Sequence, residues 1–297
     1  CRFSRRNSGF FRLSPRRKQR RIALVWKWLY PVGIHFGISQ IISYLGVYLL
    51  VRRTGADMSA YYQQVLMLTG MTGILAAIPC VLLYRKDFFR RRESGILNSA
   101  SRKPLAAGSR ISFYEIIGFL ITGAFLGQYG NLLVGLFQQY LNPETYQETQ
   151  SLISEGKSVW SLIFWMGMVA PFAEEIIFRW MVYLRMRDNM RVFTAALLSG
   201  LAFGIYHMNL LQGVYATIMG VIFALILEWS GNLFASVFLH MGANIWSLLV
   251  SDVMLYMLEH TGAASVIALN LVLVFAGVFG IWKCYKNYQK RGSTRLI

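Results

Sequence analysis

The sequence is poor in acidic residues, proline and cysteine. Its 297 residues include only 13 Asp and Glu, 6 Pro and 3 Cys. Three cysteines cannot form a disulfide framework. The sequence also lacks a His-Glu-x-x-His segment, which excludes the standard zinc-protease pattern. It contains neither a Gly-x-Ser-Gly nor a Gly-x-Gly-Asp segment of the kind that marks serine or aspartyl intramembrane proteases.

Long apolar runs, in contrast, are frequent, and 56% of the residues are apolar. A hydrocarbon layer of about 30 Å requires about twenty apolar residues of a helix that rises 1.5 Å per residue. The sequence therefore predicts an all-α, polytopic membrane helical bundle with about eight transmembrane helices. The predicted spans are residues 24–50, 61–84, 112–140, 159–184, 192–209, 211–229, 232–250 and 263–283.

The 30 Lys and Arg residues lie mainly between these runs. Nine occur in residues 1–22 and eight in residues 85–110, whereas the alternate loops carry acids, for example Glu148 and Asp252. No separate basic face with stacking aromatic residues is present, so we expect no nucleic-acid partner. Basic flanks are typical of cytoplasmic loops in contact with membrane lipids. We expect a multi-pass protein of the cell membrane, of bacterial origin and with both termini on the cytoplasmic side.

The predicted organisation has four parts. They are a basic cytoplasmic tail (1–22), three transmembrane helices with a basic cytoplasmic loop near 85–110 (23–158), a catalytic transmembrane core of spans four to seven (159–250), and a last helix with a basic tail (251–297). Small residues at four-residue spacing permit close helix approach. Such pairs are Gly33/Gly37, Gly123/Gly127 and Gly200/Gly204.

The fourth predicted span contains three charged residues, Glu174, Glu175 and Arg179. A charge at the centre of a membrane costs about 2.5–3.5 kcal/mol on the insertion scale, so these side chains must face partners or water. Glu175 and Arg179 are four residues apart, lie on one helix face and can pair. Glu174 lies about 100° around the helix from Glu175, does not share that face, and is left to act as a general base.

Two histidines and an amide lie in neighbouring spans. His207 ends the fifth span, and His240 and Asn244 share one face of the seventh. Together with Glu174 they supply a base for water, a residue to hold that water, and donors for a developing oxyanion, which are the requirements of amide hydrolysis. A lone histidine in an apolar helix is more often a packing residue, and we interpret His35 in this way.

Three motifs in these spans occur in a fixed order: Glu174-Glu175-x-x-x-Arg179, Phe203-x-x-x-His207 and His240-x-x-x-Asn244. In these motifs the sequence resembles the CPBP family, the CAAX-protease and bacteriocin-processing intramembrane proteases, also called the Abi family. The resemblance covers residues 159–250. It implies that Glu174 and His207 activate water and that His240 and Asn244 stabilise the oxyanion. Glu175, Arg179 and Phe203 would support the site.

The resemblance leaves the cofactor open. The family is commonly labelled a metalloprotease, and Glu174, His207 and His240 are candidate zinc ligands. The same residues could also work as a metal-free site in which the glutamate activates the water. The sequence does not choose between the two.

The predicted function is intramembrane endopeptidase activity on a peptide precursor or a membrane-associated protein. The alternative is a non-catalytic membrane protein that protects a bacteriocin producer against its own peptide, because some relatives are linked to such immunity. A transporter is a third class, since buried carboxylates and histidines also relay protons. The sequence predicts neither the substrate nor the oligomeric state.

Overall fold

The computed structural model describes residues 15–55, 58–96, 110–138 and 157–293. Within these residues the chain forms eight helices and no strand. The helices are α1 (Pro15–Thr54), α2 (Met58–Glu93), α3 (Phe113–Gln138), α4 (Val159–Arg187), α5 (Val192–Tyr206), α6 (Leu210–Ser230), α7 (Leu233–Thr261) and α8 (Ala263–Ser293). The predicted all-α membrane bundle is confirmed.

Seven of the described helices are long and apolar enough to cross a membrane. The exception is α5, whose 15 residues rise about 22 Å, less than the roughly 30 Å of a hydrocarbon layer. The predicted fifth span, 192–209, is therefore too long. The helix ends at Tyr206, and His207 follows it directly.

Several predicted boundaries are wrong because hydropathy marks where a helix leaves the apolar layer, not where it ends. Residues 15–22 of the predicted tail belong to α1, and the first part of the predicted loop 85–110 belongs to α2. Lys and Arg are good helix formers and allow both extensions. The acids Asp252 and Glu259, predicted in a loop, lie on α7. Residues 1–14 and 97–109 lie outside the described part of the chain.

Helix α4 is the central helix of the bundle. Every residue from 175 to 186 is buried, and this half of α4 contacts α1, α2, α5, α6 and α7. A helix that is surrounded in this way can hold charged groups, since its neighbours supply partners in place of lipid. The other half of α4, residues 159–174, is partly exposed over most of its length.

Glycines bring two pairs of helices into backbone contact. Gly123 and Gly127 of α3 face the backbone of α7, where a Cβ atom on Gly127 would lie 2.6 Å from the Ala243 carbonyl oxygen. Gly200 and Gly204 of α5 face α6 in the same manner. These two predicted pairs are confirmed as packing sites. The pair Gly33/Gly37 on α1 is not, because no atom of the described residues would lie within 4 Å of a Cβ at either position.

A polar network joins four helices at one end of the bundle. Arg185 of α4 is paired with Asp87 of α2, and its Nη atoms donate to the Lys27 carbonyl and the Tyr30 hydroxyl of α1, each at 2.7 Å. Two further pairs, Arg91–Asp188 at 2.9 Å and Arg187–Glu228 at 3.1 Å, complete it. The network ties together the helix ends that the predicted topology places on one side of the membrane.

Candidate active site

The segment that carries the two glutamates is a short α-helical stretch between two π-helical ones. The α-helical stretch is Ala170–Glu175, and the flanking π-helical stretches are Ile163–Val169 and Ile176–Tyr183. π-Helical turns are rare and are frequently found at functional sites. Here they widen α4 on both sides of the carboxylates.

Pro171 explains how α4 is joined to α7 at this point. In a π-helical register the Met166 carbonyl would accept from the backbone nitrogen of residue 171, as the Trp165 carbonyl does from Ala170. Proline has no N–H. The Met166 carbonyl instead accepts a hydrogen bond from Asn244 Nδ2 at 3.0 Å. Because an amide group has two N–H bonds, Asn244 keeps one donor for another partner.

Arg179 is completely buried beside Glu175. Its Nη1 lies 3.4 Å from Glu175 Oε1, which agrees with the pairing that their spacing predicted. The guanidinium also lies over the rings of Phe203 and Phe223, at 4.5 and 5.2 Å from their centroids. Such cation–π contacts stabilise a desolvated charge by about 2 kcal/mol. Among the described residues, none of its three side-chain nitrogens has a hydrogen-bond acceptor, so its buried N–H groups could still bind one.

His240 of α7 lies between the two glutamates. Its Nδ1 is 3.1 Å from Glu175 Oε1, and its Nε2 is 3.7 Å from Glu174 Oε2. Since a carboxylate accepts, Nδ1 is the donor to Glu175. The ring also packs against Phe223, with centroids 4.6 Å apart. Arg179, Glu175, His240 and Glu174 thus form one chain of polar contacts between α4 and α7.

Glu174 is the accessible member of this chain. Its side chain is 24% exposed, whereas that of Glu175 is completely buried. Accessible space on Glu174 is what a water molecule would need in order to reach a carboxylate base. The sequence indicated no ion-pair partner for Glu174. In the structure, its partner is His240.

His207 is linked to the charged residues of α4 through Phe203, whose ring contacts both His207 and Arg179. The Ser199 hydroxyl donates to the Phe178 carbonyl on α4 at 2.9 Å, and Phe203, one turn further along α5, covers Arg179. His207 follows by one more turn. Its Nδ1 donates to the Phe203 carbonyl at 2.9 Å, which in the neutral ring leaves Nε2 as an acceptor.

The candidate metal ligands Glu174, His207 and His240 lie on three different parts of the bundle. In the part of the chain that the structure describes, no three His, Cys, Asp or Glu side chains are grouped so that they could hold a metal ion. His240 Nδ1 is bound to Glu175, and the rings of His207 and His240 both pack against Phe203. These contacts occupy Nδ1 of each ring and leave Nε2 available, so the choice between a zinc site and a metal-free site stays a prediction of the sequence.

The sequence did not reveal two partners of the site, Phe223 and Met166. Phe223 contacts both His240 and Arg179, and the Met166 carbonyl holds Asn244. Phe223 is one of 20 Phe residues, and nothing in its sequence surroundings distinguishes it. Met166 acts through its backbone, and the only sequence signal for it is Pro171 five residues later.

Comparison with known proteins bears on the family to which the motifs point. Residues 156–246 match the model of the Rce1-like family, the type II CAAX prenyl endopeptidases. The match supports the CAAX-protease family for this part of the chain, about a third of its length. The match includes all seven motif residues, from Glu174 to Asn244, and nearly the whole of the predicted catalytic core. It agrees with the family indicated by the motifs.

The chain is also similar to YdiL of Bacillus subtilis (strain 168), a curated protein named as a putative membrane peptidase. The two are 26% identical over 158 residues, which is 52% of this chain and 64% of YdiL. The chain thus spans less than two thirds of the relative that it matches. No solved structure gives a significant match.

Proposed function

We propose that this protein is an intramembrane peptidase in which Glu174 activates the attacking water. The observation that carries the proposal is the pair of adjacent glutamates in opposite environments, joined by His240. Glu175 is fully buried and paired with Arg179, whereas Glu174 is partly exposed and only 3.7 Å from His240. Two carboxylates that differ in this way are suited to different roles.

In the proposed reaction Glu174 removes a proton from water while the water oxygen attacks the carbon of the scissile carbonyl. The carbonyl oxygen becomes an oxyanion. When the tetrahedral intermediate collapses, the C–N bond breaks and the proton held by Glu174 goes to the leaving nitrogen. General acid–base catalysis of this type contributes about 10²–10⁴-fold to a rate.

Oxyanion stabilisation is assigned to α7. Asn244 keeps one N–H after binding the Met166 carbonyl. His240, when it is protonated between Glu174 and Glu175, can donate from Nε2. Glu175 fixes the orientation of the His240 ring, and Arg179 fixes Glu175. His207, with Nε2 as an acceptor, is assigned to holding the water beside Glu174.

The proposed substrate is a peptide that is itself held in the membrane. Glu174 lies within a helix that is long and apolar enough to span it, so a soluble peptide would have to leave water to reach the site. The family is named for prenylated CAAX proteins, whose lipid gives them the same membrane location. A peptide precursor with an apolar segment would meet the requirement equally well.

The test is cleavage in proteoliposomes. Three probes separate the substrate classes: a farnesylated CAAX peptide with a fluorophore and a quencher, the same peptide without the lipid, and a pool of single-span transmembrane peptides analysed by mass spectrometry. We expect cleavage of the farnesylated peptide or of the pool, little cleavage of the unlipidated peptide, and loss of activity in Glu174→Ala.

Equal cleavage by wild-type protein and Glu174→Ala would refute the proposal. Bacteriocin self-immunity remains a prediction of the sequence. It would be favoured if Glu174→Ala and His207→Ala still protected cells while neither protein cleaved any probe.

A further inference from the structure

His35 of α1 connects three helices next to the site. It is 4% exposed, with Nδ1 2.8 Å from the Tyr206 hydroxyl of α5 and Nε2 3.2 Å from the Gly73 carbonyl of α2. A carbonyl only accepts, so Nε2 carries the proton in the neutral ring. Nδ1 is then an acceptor, and the Tyr206 O–H donates to it. The contact with Gly73 thus sets the direction of the hydrogen bond from Tyr206.

Tyr206 faces the part of α4 that carries Glu174. Its ring packs edge-on against Phe178, with centroids 5.3 Å apart. Phe178 is four residues after Glu174 and therefore lies near it on the helix surface. Tyr206 consequently lies between α1 and the carboxylate that we assign as the base.

The end of α5 needs such an attachment. Tyr206 is its last residue, His207 follows directly, and Met208 has a φ angle of +55°, a left-handed conformation that is uncommon for a residue other than glycine. The α-helical hydrogen bonds also give way to shorter turns here, since the His207 N–H donates to the Gly204 carbonyl. His207 is thus at a strained helix end, where fraying would displace it.

We infer that His35 and Tyr206 are positioning residues of the active site: the bond between them attaches the end of α5 to α1 and so holds His207 and Glu174 at their working distance. This inference rests on the proposed peptidase function. It assigns α1, which lies outside the motif-bearing core, a part in the reaction.

The bond predicts which substitutions of His35 are tolerated. An Asn side chain can place its oxygen where Nδ1 lies, so His35→Asn retains the acceptor for Tyr206. Gln reaches the position of Nε2, so His35→Gln retains the donor to Gly73 but loses that acceptor. A residue that acts only by filling space would not discriminate between the two amides in this way.

The experiment measures kcat and KM for cleavage of the farnesylated peptide, or of the best-cleaved member of the peptide pool, in proteoliposomes. We expect Tyr206→Phe and His35→Gln to lower kcat by roughly 10-fold or more with little change in KM, because displacement of a catalytic group by about 1 Å can reduce a rate 10²-fold. His35→Asn should retain most of the activity. In a Tyr206→Phe background, His35→Gln should have no further effect, since residues that act through one bond are not additive.

Tyr183→Phe is the matched control. It also removes a buried tyrosine hydroxyl bond, that to Glu228 at 2.8 Å, but at the polar network away from the site. It should lower the melting temperature and leave kcat unchanged. The inference is overturned if Tyr206→Phe turns over like wild type, if the His35 and Tyr206 effects add, or if His35→Asn is no better than His35→Gln. Activity in Glu174→Ala, or no cleavage of any probe by the wild-type protein, would contradict the proposed peptidase function itself.

Discussion

At the scale of single residues, Glu174 and Glu175 are adjacent in sequence but have different partners. Glu175 is enclosed with Arg179 and His240, whereas Glu174 retains exposed surface. Removing the charge of each residue should therefore affect different properties of the protein.

We expect Glu174→Gln to lower kcat by about 10²–10⁴-fold and to leave the melting temperature close to that of wild type. Glu175→Gln should instead destabilise the protein by about 3–5 kcal/mol, because it leaves the buried Arg179 without its counter-ion. Turnover and thermal unfolding in detergent micelles measure the two effects. A stable, inactive Glu175→Gln together with an unstable, active Glu174→Gln would contradict the assignment.

The sequence predicted contacts within one helix better than contacts between helices. Glu175 and Arg179 are four residues apart on α4, so the helical repeat alone indicated their pairing. The bond between His240 and Glu175 depends on the rotation of α7 against α4, which no local pattern encodes. For the same reason, the sequence did not show the contact of Phe223 with His240 or the bond between Tyr206 and His35.

At the scale of helices, Pro171 determines the partner of Asn244. Pro171→Ala restores an N–H that competes with Asn244 for the Met166 carbonyl. We expect lower kcat/KM but an equal or higher melting temperature, because alanine favours a helix interior by about 3 kcal/mol over proline. Pro79→Ala in α2 is the control, since it makes the same exchange inside another helix. Unchanged kcat/KM in Pro171→Ala would show that the Asn244 bond does not matter for the reaction.

The glycines of α3 should differ from those of α1 in their tolerance of a methyl group. Gly127→Ala brings Cβ against the Ala243 backbone and should destabilise the bundle by about 1–3 kcal/mol. Gly33→Ala meets no atom within 4 Å and should be neutral, or stabilising by up to about 1 kcal/mol. Thermal unfolding of the two variants decides the matter. The four-residue spacing is the same in both pairs, so the sequence could not distinguish them.

At the scale of the whole molecule, the polar network should be a major source of stability. Arg185→Ala removes bonds to α1 and α2 together and leaves the buried Asp87 with only Arg90, whose side chain is 44% exposed. We expect a loss of about 3–5 kcal/mol in unfolding free energy, partly recovered in Arg185→Ala/Asp87→Ala. The exposed Arg52→Ala is the control. Equal melting temperatures for Arg185→Ala and Arg52→Ala would refute this role.

Orientation in the membrane remains a prediction from the basic loops. We expect both termini on the cytoplasmic side, the side of the polar network. A reporter that is active only in the cytoplasm, fused after Ile297, should be active in cells. Activity of a periplasmic reporter at the same position, with an inactive cytoplasmic one, would reverse the topology.

Hydropathy was sufficient to predict the bundle and its eight helices, because each apolar run is a local property of the chain. It failed for α5, where the predicted span runs on to residue 209 although the helix ends at Tyr206. What ends α5 is the hairpin with α6, a tertiary feature. The position of His207 could therefore be obtained only from the packed structure.

The glycine contacts between α3 and α7 also restrict how the site can change. Gly123 faces the Leu239 carbonyl and Gly127 that of Ala243, so both helices repeat the contact every four residues. A small shift of α7 along its axis would push its carbonyl oxygens against the larger side chains next to these glycines. A shift of one full turn, about 5.4 Å, would again place a carbonyl oxygen opposite one of the two glycines. It would also carry His240 out of hydrogen-bonding range of Glu175. Any axial shift of α7 against α3 would therefore have to be a whole helical turn, and it would separate His240 from Glu175.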